Sequence, residues 1–369
     1  MLNAGRVIAF DGTPQRPEVA QEHYKPEIVN FGFLDNPPAR IGSVARGFPY
    51  SHNPVEKTAI VDILTAVVNN GSENRRRPMV LPTACSFWER NPEIASKDQW
   101  TANPLIGESV YRQMSGGDSG DHWLTWLLRD YFQNRRFARV LSPGCGVGDH
   151  EVDMMSFGSI THLDAFDFSE ASLGIAREKA AAKSLKINFY RDDINEFEIP
   201  SDQKYDMVLC SGSVHHVREI ERFFRVVNDA LTSDGVFVFN EYVGPCYNLY
   251  PRKQLDVVNR LLQAIAPEFR RGQKLEQSSV ESALAGDPSE SVRSSLIMPF
   301  ASSYFDFEFC RPYGGTLLHP LYPLLRHDAM SNSTPEMQTI VRLLIEFETI
   351  LVENGVLASD FVLCVCRKK

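Results

Sequence analysis

From residue 138 onward the chain alternates short apolar runs with longer amphipathic segments, and no other feature limits its possible folds so strongly. The apolar runs fall at 138–142 (ARVLS), 162–167 (HLDAFD), 186–190 (KINFY), 205–211 (YDMVLCS) and 235–241 (GVFVFNE). Asp234-Gly235 supplies a sharp turn into the last of them. Apolar residues at helical spacing fill the gaps at 148–156, 169–183 and 217–231. Strands separated by helices cannot pair as tight hairpins; they pair in parallel through right-handed crossovers. The expectation is an α/β sheet with helices on both faces.

Beyond Glu241 the alternation breaks. Leu255, Val258, Leu261, Leu262 and Ile265 predict an amphipathic helix over 251–267, followed by a polar stretch at 272–293. A strand at 304–311, a helix at 335–353 and a strand at 360–367 complete the chain. Ahead of the sheet, helices are expected at 104–115 and 121–134. The second has Asp121 as N-cap and an apolar face of Trp123, Leu124, Leu127, Leu128 and Tyr131. Residues 1–103 are proline-rich, with one periodic helix at 54–68 and a short one within 85–95. The organisation expected is therefore an accessory segment, 1–103, and a main domain, 104–369, carrying an insert at 243–300 that covers a site.

Composition narrows the function classes. The 369 residues are 43% hydrophobic and 23% charged, ordinary values for a globular protein. A net charge of -9 disfavours a phosphate backbone as partner. The cluster Arg75-Arg76-Arg77 sits between Asn-Asn-Gly-Ser and Pro78 and reads as a solvated loop. Seven cysteines at irregular spacing contain no C-x-x-C pair, as expected for reduced thiols in a cytoplasmic protein. No apolar run approaches the roughly 18 residues of a membrane helix, and the N-terminus lacks a signal-peptide h-region.

The sharpest local motif is Ser142-Pro143-Gly144-Cys145-Gly146-Val147-Gly148-Asp149, between the first strand and its helix. Glycines there permit a tight turn and close ligand approach, and the helix start offers unpaired N–H groups. Such a loop serves a dinucleotide or another adenosine-containing cofactor. Asp149 stands near the place of the third dinucleotide glycine, where its charge would oppose a pyrophosphate. S-adenosylmethionine (SAM) carries no phosphate and tolerates nearby acids. Asp167, followed by Phe168, ends the second strand, where a carboxylate can accept both ribose hydroxyls. Asp192-Asp193-Ile194 follows the third strand, and Ser211 ends the fourth, ahead of His215-His216.

This order of G-C-G-x-G, strand-end Asp, D-D-I, Y-D-M-V-L-C-S-x-S-x-x-H-H and L-T-x-D-G-x-F-x-F-x-E-Y resembles the class I SAM-dependent methyltransferases, over about residues 120–243. The closing strand–helix–strand resembles the family's C-terminal hairpin. The Glu241-Tyr242-Val243-Gly244-Pro245 segment is more loosely similar to bacterial biosynthetic members. The resemblance implies a Rossmann-like, mostly parallel seven-stranded sheet with the last strand antiparallel. It implies Gly144, Cys145, Gly146 and Gly148 at the cofactor loop, with Asp167 and Phe168 at the ribose. It also implies Asp193, with Asp192 as the near alternative, and Ile194 at the adenine, and Ser211 at the methionine end. The family's acid at the end of the first strand is replaced here by Ser142, for which Glu151 or Ser211 could substitute.

The expected reaction is methyl transfer to a small-molecule acceptor, most often at oxygen. His215, His216 and Glu241 are the catalytic candidates, and Tyr242, Arg311, Tyr313 and His319 the acceptor contacts. No further ligand lies at helpful spacing from the histidine pair, so no metal is expected. Trp88, Trp100, Trp123 and Trp126 read as packing residues. No membrane or nucleic-acid partner is expected, and a homodimer is open. Two alternatives remain: a SAM-binding relative catalysing elimination or cyclisation, and a non-catalytic scaffold.

Overall fold

The computed structural model describes residues 83–92, 99–117, 119–327 and 334–369. The helix expected at 54–68 and the arginine loop at 75–77 lie outside the described residues. In chain order the elements are α1 (Ala84–Arg90), α2 (Pro104–Ser115), α3 (Trp123–Trp126), β1 (Phe137–Pro143), α4 (Asp149–Phe157), β2 (Ile160–Asp167), α5 (Glu170–Ala182) and β3 (Asn188–Arg191). There follow β4 (Tyr205–Ser211), α6 (Ile220–Ala230), β5 (Leu231–Tyr242), α7 (Arg252–Ala264), α8 (Val280–Ala285), α9 (Ile297–Tyr304), β6 (Phe305–Pro312), α10 (Leu318–Leu321), α11 (Pro335–Glu353) and β7 (Phe361–Lys368).

These strands form one sheet of seven among the described residues, in the order β3-β2-β1-β4-β5-β7-β6. The first five pair in parallel, while β7 runs antiparallel between β5 and β6. The reversal of strand order at β1 and β4 opens a crevice at their C-terminal ends, the place where α/β sheets bind ligands.

Both faces of the sheet are covered, so alternate residues of each strand enter different cores. Val140, Leu163, Met207, Val236 and Val365 pack with Trp123, Leu127, Val258 and Val341 from α3, the turn after it, α7 and α11. Leu141, Phe166, Val208, Phe237 and Cys364 pack on the other face with Phe223, Phe224 and Val227 of α6 and Ile297 and Ala301 of α9. Cys364 and Cys366 share that second face, buried as free thiols.

Four local expectations are corrected. The N-cap of α3 is His122, whose Nδ1 accepts from the Leu124 amide, while Asp121 pairs with Arg129 outside the helix. Helix α3 then widens into a π-turn at Leu127–Tyr131 instead of continuing as α to 134. The chain is already extended at Leu231, and Asp234-Gly235 lies inside β5, where its register against β4 shifts between Tyr205 and Met207. Helix α9, and α8 within the polar stretch, are added elements. No helix among the described residues is long and apolar enough to cross a membrane.

Candidate functional site

The loop after β1 is built by positive backbone φ angles at Gly144 (67°) and Gly146 (52°). A Cβ on Gly144 would lie 2.7 Å from the Ser213 Cβ, so the loop sits directly against the segment after β4. A Cβ on Gly146 would meet no described atom within 4 Å, because that peptide faces open space. The Gly146 amide donates to Asp167 Oδ2 and the Ser169 amide to Oδ1, both at 2.9 Å. The Asp167 carboxylate is thereby locked at the C-terminus of β2 with a lone pair left on each oxygen. Burial pushes its pKa up, and these amides partly offset the rise.

Above the loop lies a cavity of about 780 Å³. Its wall includes Gly144, Cys145, Gly146, Asp167, Phe168, Asp192, Ile194 and Ser211. Gly148 and Asp193 are not on that wall. Gly148 packs against Ala176 of α5, where a Cβ would come within 2.7 Å of that methyl carbon. Asp193 Oδ1 accepts the Asn195 amide, so the side chain caps its own turn and leaves Asp192 as the acid at the cavity. Beneath β1, the Ser142 hydroxyl donates to Glu151 Oε1 at 2.5 Å. An acid from α4 thus stands under the strand end that lacks one of its own. Glu151 is buried with Oε2 unpartnered, and burial lifts it to about 7.

The far end of the same cavity is lined by His215, His216, Tyr242, Tyr313 and His319. Glu241, at the end of β5, is 1% exposed. Its Oε1 accepts the Ser213 and Val214 amides at 2.7 Å, and its Oε2 lies 2.8 Å from His215 Nδ1. With three partners Glu241 fixes the turn and the ring; it does not face the cavity itself. Burial disfavours charge on His215, but Glu290 and Glu241 outweigh it and lift the ring to about 9. Burial and its charged neighbour His215 pull His216 down. Burial also opposes charge on Glu290, yet the two histidines hold it at about 2.

The Tyr242 hydroxyl donates to the Pro245 carbonyl and that of Tyr313 to Asn240 Oδ1. Each tyrosine therefore offers mainly its ring face to the cavity. His319 is drawn down to about 4 by burial, and its Nδ1 has no partner. Arg311 is not brought to the cavity. Its guanidinium packs over the Phe309 ring and against Gly116 at the end of α2.

Several wall residues were not singled out in the sequence. His150 Nε2 lies 3.1 Å from Ser211 Oγ, and burial lowers it to about 4, so it faces the cavity as a neutral ring. His122 and Trp123 pack beside it. Trp88, Trp100 and Trp123 line the cavity, and only Trp126 of the four tryptophans keeps a purely packing role. Trp88 reaches across from α1 to donate its Nε1–H to Asp287 Oδ2 at 3.0 Å. A histidine in the first turn of α4 was the available signal, and it carries no chemistry without the third dimension.

Residues 135–290 match a family model described as a methyltransferase domain. The malonyl-[acyl-carrier protein] O-methyltransferase of Bacillus cereus is 22% identical over 121 residues, 33% of this chain and 44% of that protein. The carboxy-S-adenosyl-L-methionine synthase of Wolinella succinogenes is 32% identical over 108 residues, 28% of this chain and 44% of that protein. The ubiquinone biosynthesis O-methyltransferase of Pasteurella multocida is 29% identical over 111 residues, 28% of this chain and 45% of that protein. The chain thus spans less than half the length of each of these relatives. Residues 135–290 are therefore similar to a methyltransferase domain, and the sheet order and the glycine loop with its strand-end acid agree with that likeness.

Proposed function

We propose that this chain transfers the methyl group of SAM to an oxygen of a small-molecule acceptor. The observation that carries the proposal is a single cavity with two chemically different ends. One end is the loop at Gly144–Gly146 with Asp167, Asp192 and Ile194; the other is the His215–His216 cluster. The 780 Å³ volume suits small molecules. The residues fit the cofactor: an open peptide at Gly146 leaves room for it, and the fixed Asp167 carboxylate can accept a ribose diol. Bound there, SAM supplies a methyl carbon already activated by its sulfonium. In the transfer the carbon–oxygen bond forms, the carbon–sulfur bond breaks, the sulfur becomes neutral, and the acceptor's proton passes to water.

The protein's share is alignment and exclusion of water. Phe87, Trp88, Trp100, Tyr111, Trp123 and Tyr242 wall the cavity with rings. His215 presents its Nε2 edge to the acceptor end of the cavity, and Glu241 acts as a positioning residue behind it. We assign acceptor choice to α1 and to the 243–300 segment, which contribute Trp88, Asp287 and Glu290 to the wall. Incubation with methyl-labelled SAM and a pool of hydroxylated small molecules should yield labelled product and one equivalent of demethylated cofactor.

A second reading is favoured by the relative named carboxy-S-adenosyl-L-methionine synthase, which shares 32% identity over the matched segment. Chemistry other than methyl transfer would consume substrate or alter the cofactor without moving label to the acceptor, and that result would replace the first reading. Failure to bind SAM at all would leave a scaffold.

A further inference from the structure

We propose that His215, His216 and Glu290 bind a divalent transition-metal cation at the acceptor end of the cavity. The proposal rests on the acceptor-site reading above only for what the ion would do, not for its binding. Each of the three offers one ligand atom, and these atoms lie within 4.8 Å of one another. Two imidazoles and one carboxylate are the donor set for zinc- or iron(II)-class ions. Magnesium and calcium prefer all-oxygen sites.

The orientation of the two rings is the stronger observation. Metal-bound histidines nearly always donate their other ring N–H to a carboxylate or a carbonyl. His215 directs Nδ1 to the buried Glu241 carboxylate at 2.8 Å. His216 directs Nδ1 to the Ser289 carbonyl at 3.1 Å and to the Ser289 hydroxyl at 3.0 Å. Both Nδ1 atoms are thereby occupied, and Nε2 is the free edge of each ring. His215 Nε2 stands 3.8 Å from Glu290 Oε2, too long for a direct hydrogen bond.

Glu290 is held from behind. Its Oε1 accepts from the Ser291 hydroxyl at 2.6 Å and from the Asn248 side chain at 3.4 Å, which leaves Oε2 toward the rings. Asp287 Oδ2, 3.8 Å from His216 Nδ1, already accepts from Trp88 and serves as a backing charge. His319 lines the same end of the cavity and has a buried Nδ1 with no partner. A water or an acceptor oxygen on the ion would give that atom a hydrogen bond.

Three protein ligands leave positions open, as catalytic sites require. An ion held there would lower the pKa of an acceptor hydroxyl bound beside it, whose proton would pass to water. The acceptor oxygen would then be the nucleophile for the methyl carbon.

The test uses the full chain, stripped with a chelator and titrated with Co2+ as the probe. Calorimetry and visible absorption are read together. One ion per chain is expected, with a spectrum showing nitrogen ligands. Removal of one ligand, in His216→Ala and separately in Glu290→Ala, should weaken Co2+ binding by about 100-fold or more, and Glu241→Gln by roughly 10- to 100-fold. The dissociation constant of SAM, measured on the same stripped samples, should stay within about threefold; it also reports whether each variant is folded. Absence of stoichiometric Co2+ binding by the wild-type chain overturns the proposal. So does equal affinity in all three variants, which would locate the ion elsewhere. Either outcome with SAM still bound removes the metal site alone. Loss of SAM binding by the wild-type chain in both stripped and loaded states removes the methyl-transfer reading instead.

Discussion

Glu241 shows how one side chain sets the chemistry of another. Its carboxylate accepts two amides of the turn after β4 and the Nδ1–H of His215, so it fixes the position of that ring and the proton on Nδ1. Glu241→Gln keeps the shape but puts an amide N–H2 against Nδ1. The ring then loses its Nδ1–H···O bond and part of the charge that raises its pKa, and kcat should fall by about 100-fold or more. The imidazole nitrogen shifts should report a lowered His215 pKa; an unchanged pKa with full activity contradicts the role. Glu151 supplies a different case. Burial lifts it from 4.5 to about 7, so the folded chain holds this proton more tightly than the unfolded chain. Its contribution is intact below pH 4.5 and is lost as pH rises through 7. The loss is on the order of 3 kcal/mol. Glu151→Gln cannot ionise. Urea denaturation of ligand-free protein at about pH 5 and about pH 8 should therefore show a smaller drop for the variant than for the wild type. An equal drop would mean that Glu151 does not stay buried.

At the scale of elements, the turn between β6 and α10 depends on one residue of α11. Glu348 accepts the amides of Gly315, Leu317 and Leu318, all buried. Glu348→Ala orphans three donors and should lower stability by about 3 kcal/mol. Because that turn carries Tyr313 and leads into His319 of α10, the acceptor KM should rise while SAM affinity changes little; a thermal melt and a KM–kcat comparison read both. Tight coupling of this turn to a distant helix could not be seen in the sequence, since Glu348 differs in no local way from the other acids of α11. The strands were legible for the opposite reason. The central parallel strands β1, β2, β4 and β5 each contain a run buried on both faces, such as Met207–Cys210, and such a run must be largely apolar. Helix α9 was not legible: Ile297–Tyr304 is short, and its apolar residues run straight into those of β6. The N-cap at His122 was missed because Asp121 is the better capping residue by type, and its pairing with Arg129 draws it away.

At the scale of the whole molecule, the sheet brings together residues that the sequence keeps far apart. The proposed cofactor end was readable because its parts sit on successive strand ends, at Gly144, Asp167 and Asp192, and strand order follows from the alternation. The acceptor end was only partly readable. His215 and His216 could be found from their place after β4, but Glu290, Trp88 and His150 join them from a later segment, an earlier helix and the first turn of α4. Nothing local marks those three, and Arg311, which did stand out, is turned toward α2 by its packing on Phe309. The account as a whole depends on the cofactor end, and Asp167 is its pivot. The most direct measurement is the dissociation constant of SAM for Asp167→Ala by calorimetry, beside wild type. Removing a charged acceptor from a ribose diol should weaken binding by about 100-fold with cooperative unfolding retained. An unchanged dissociation constant in a folded variant would contradict the account.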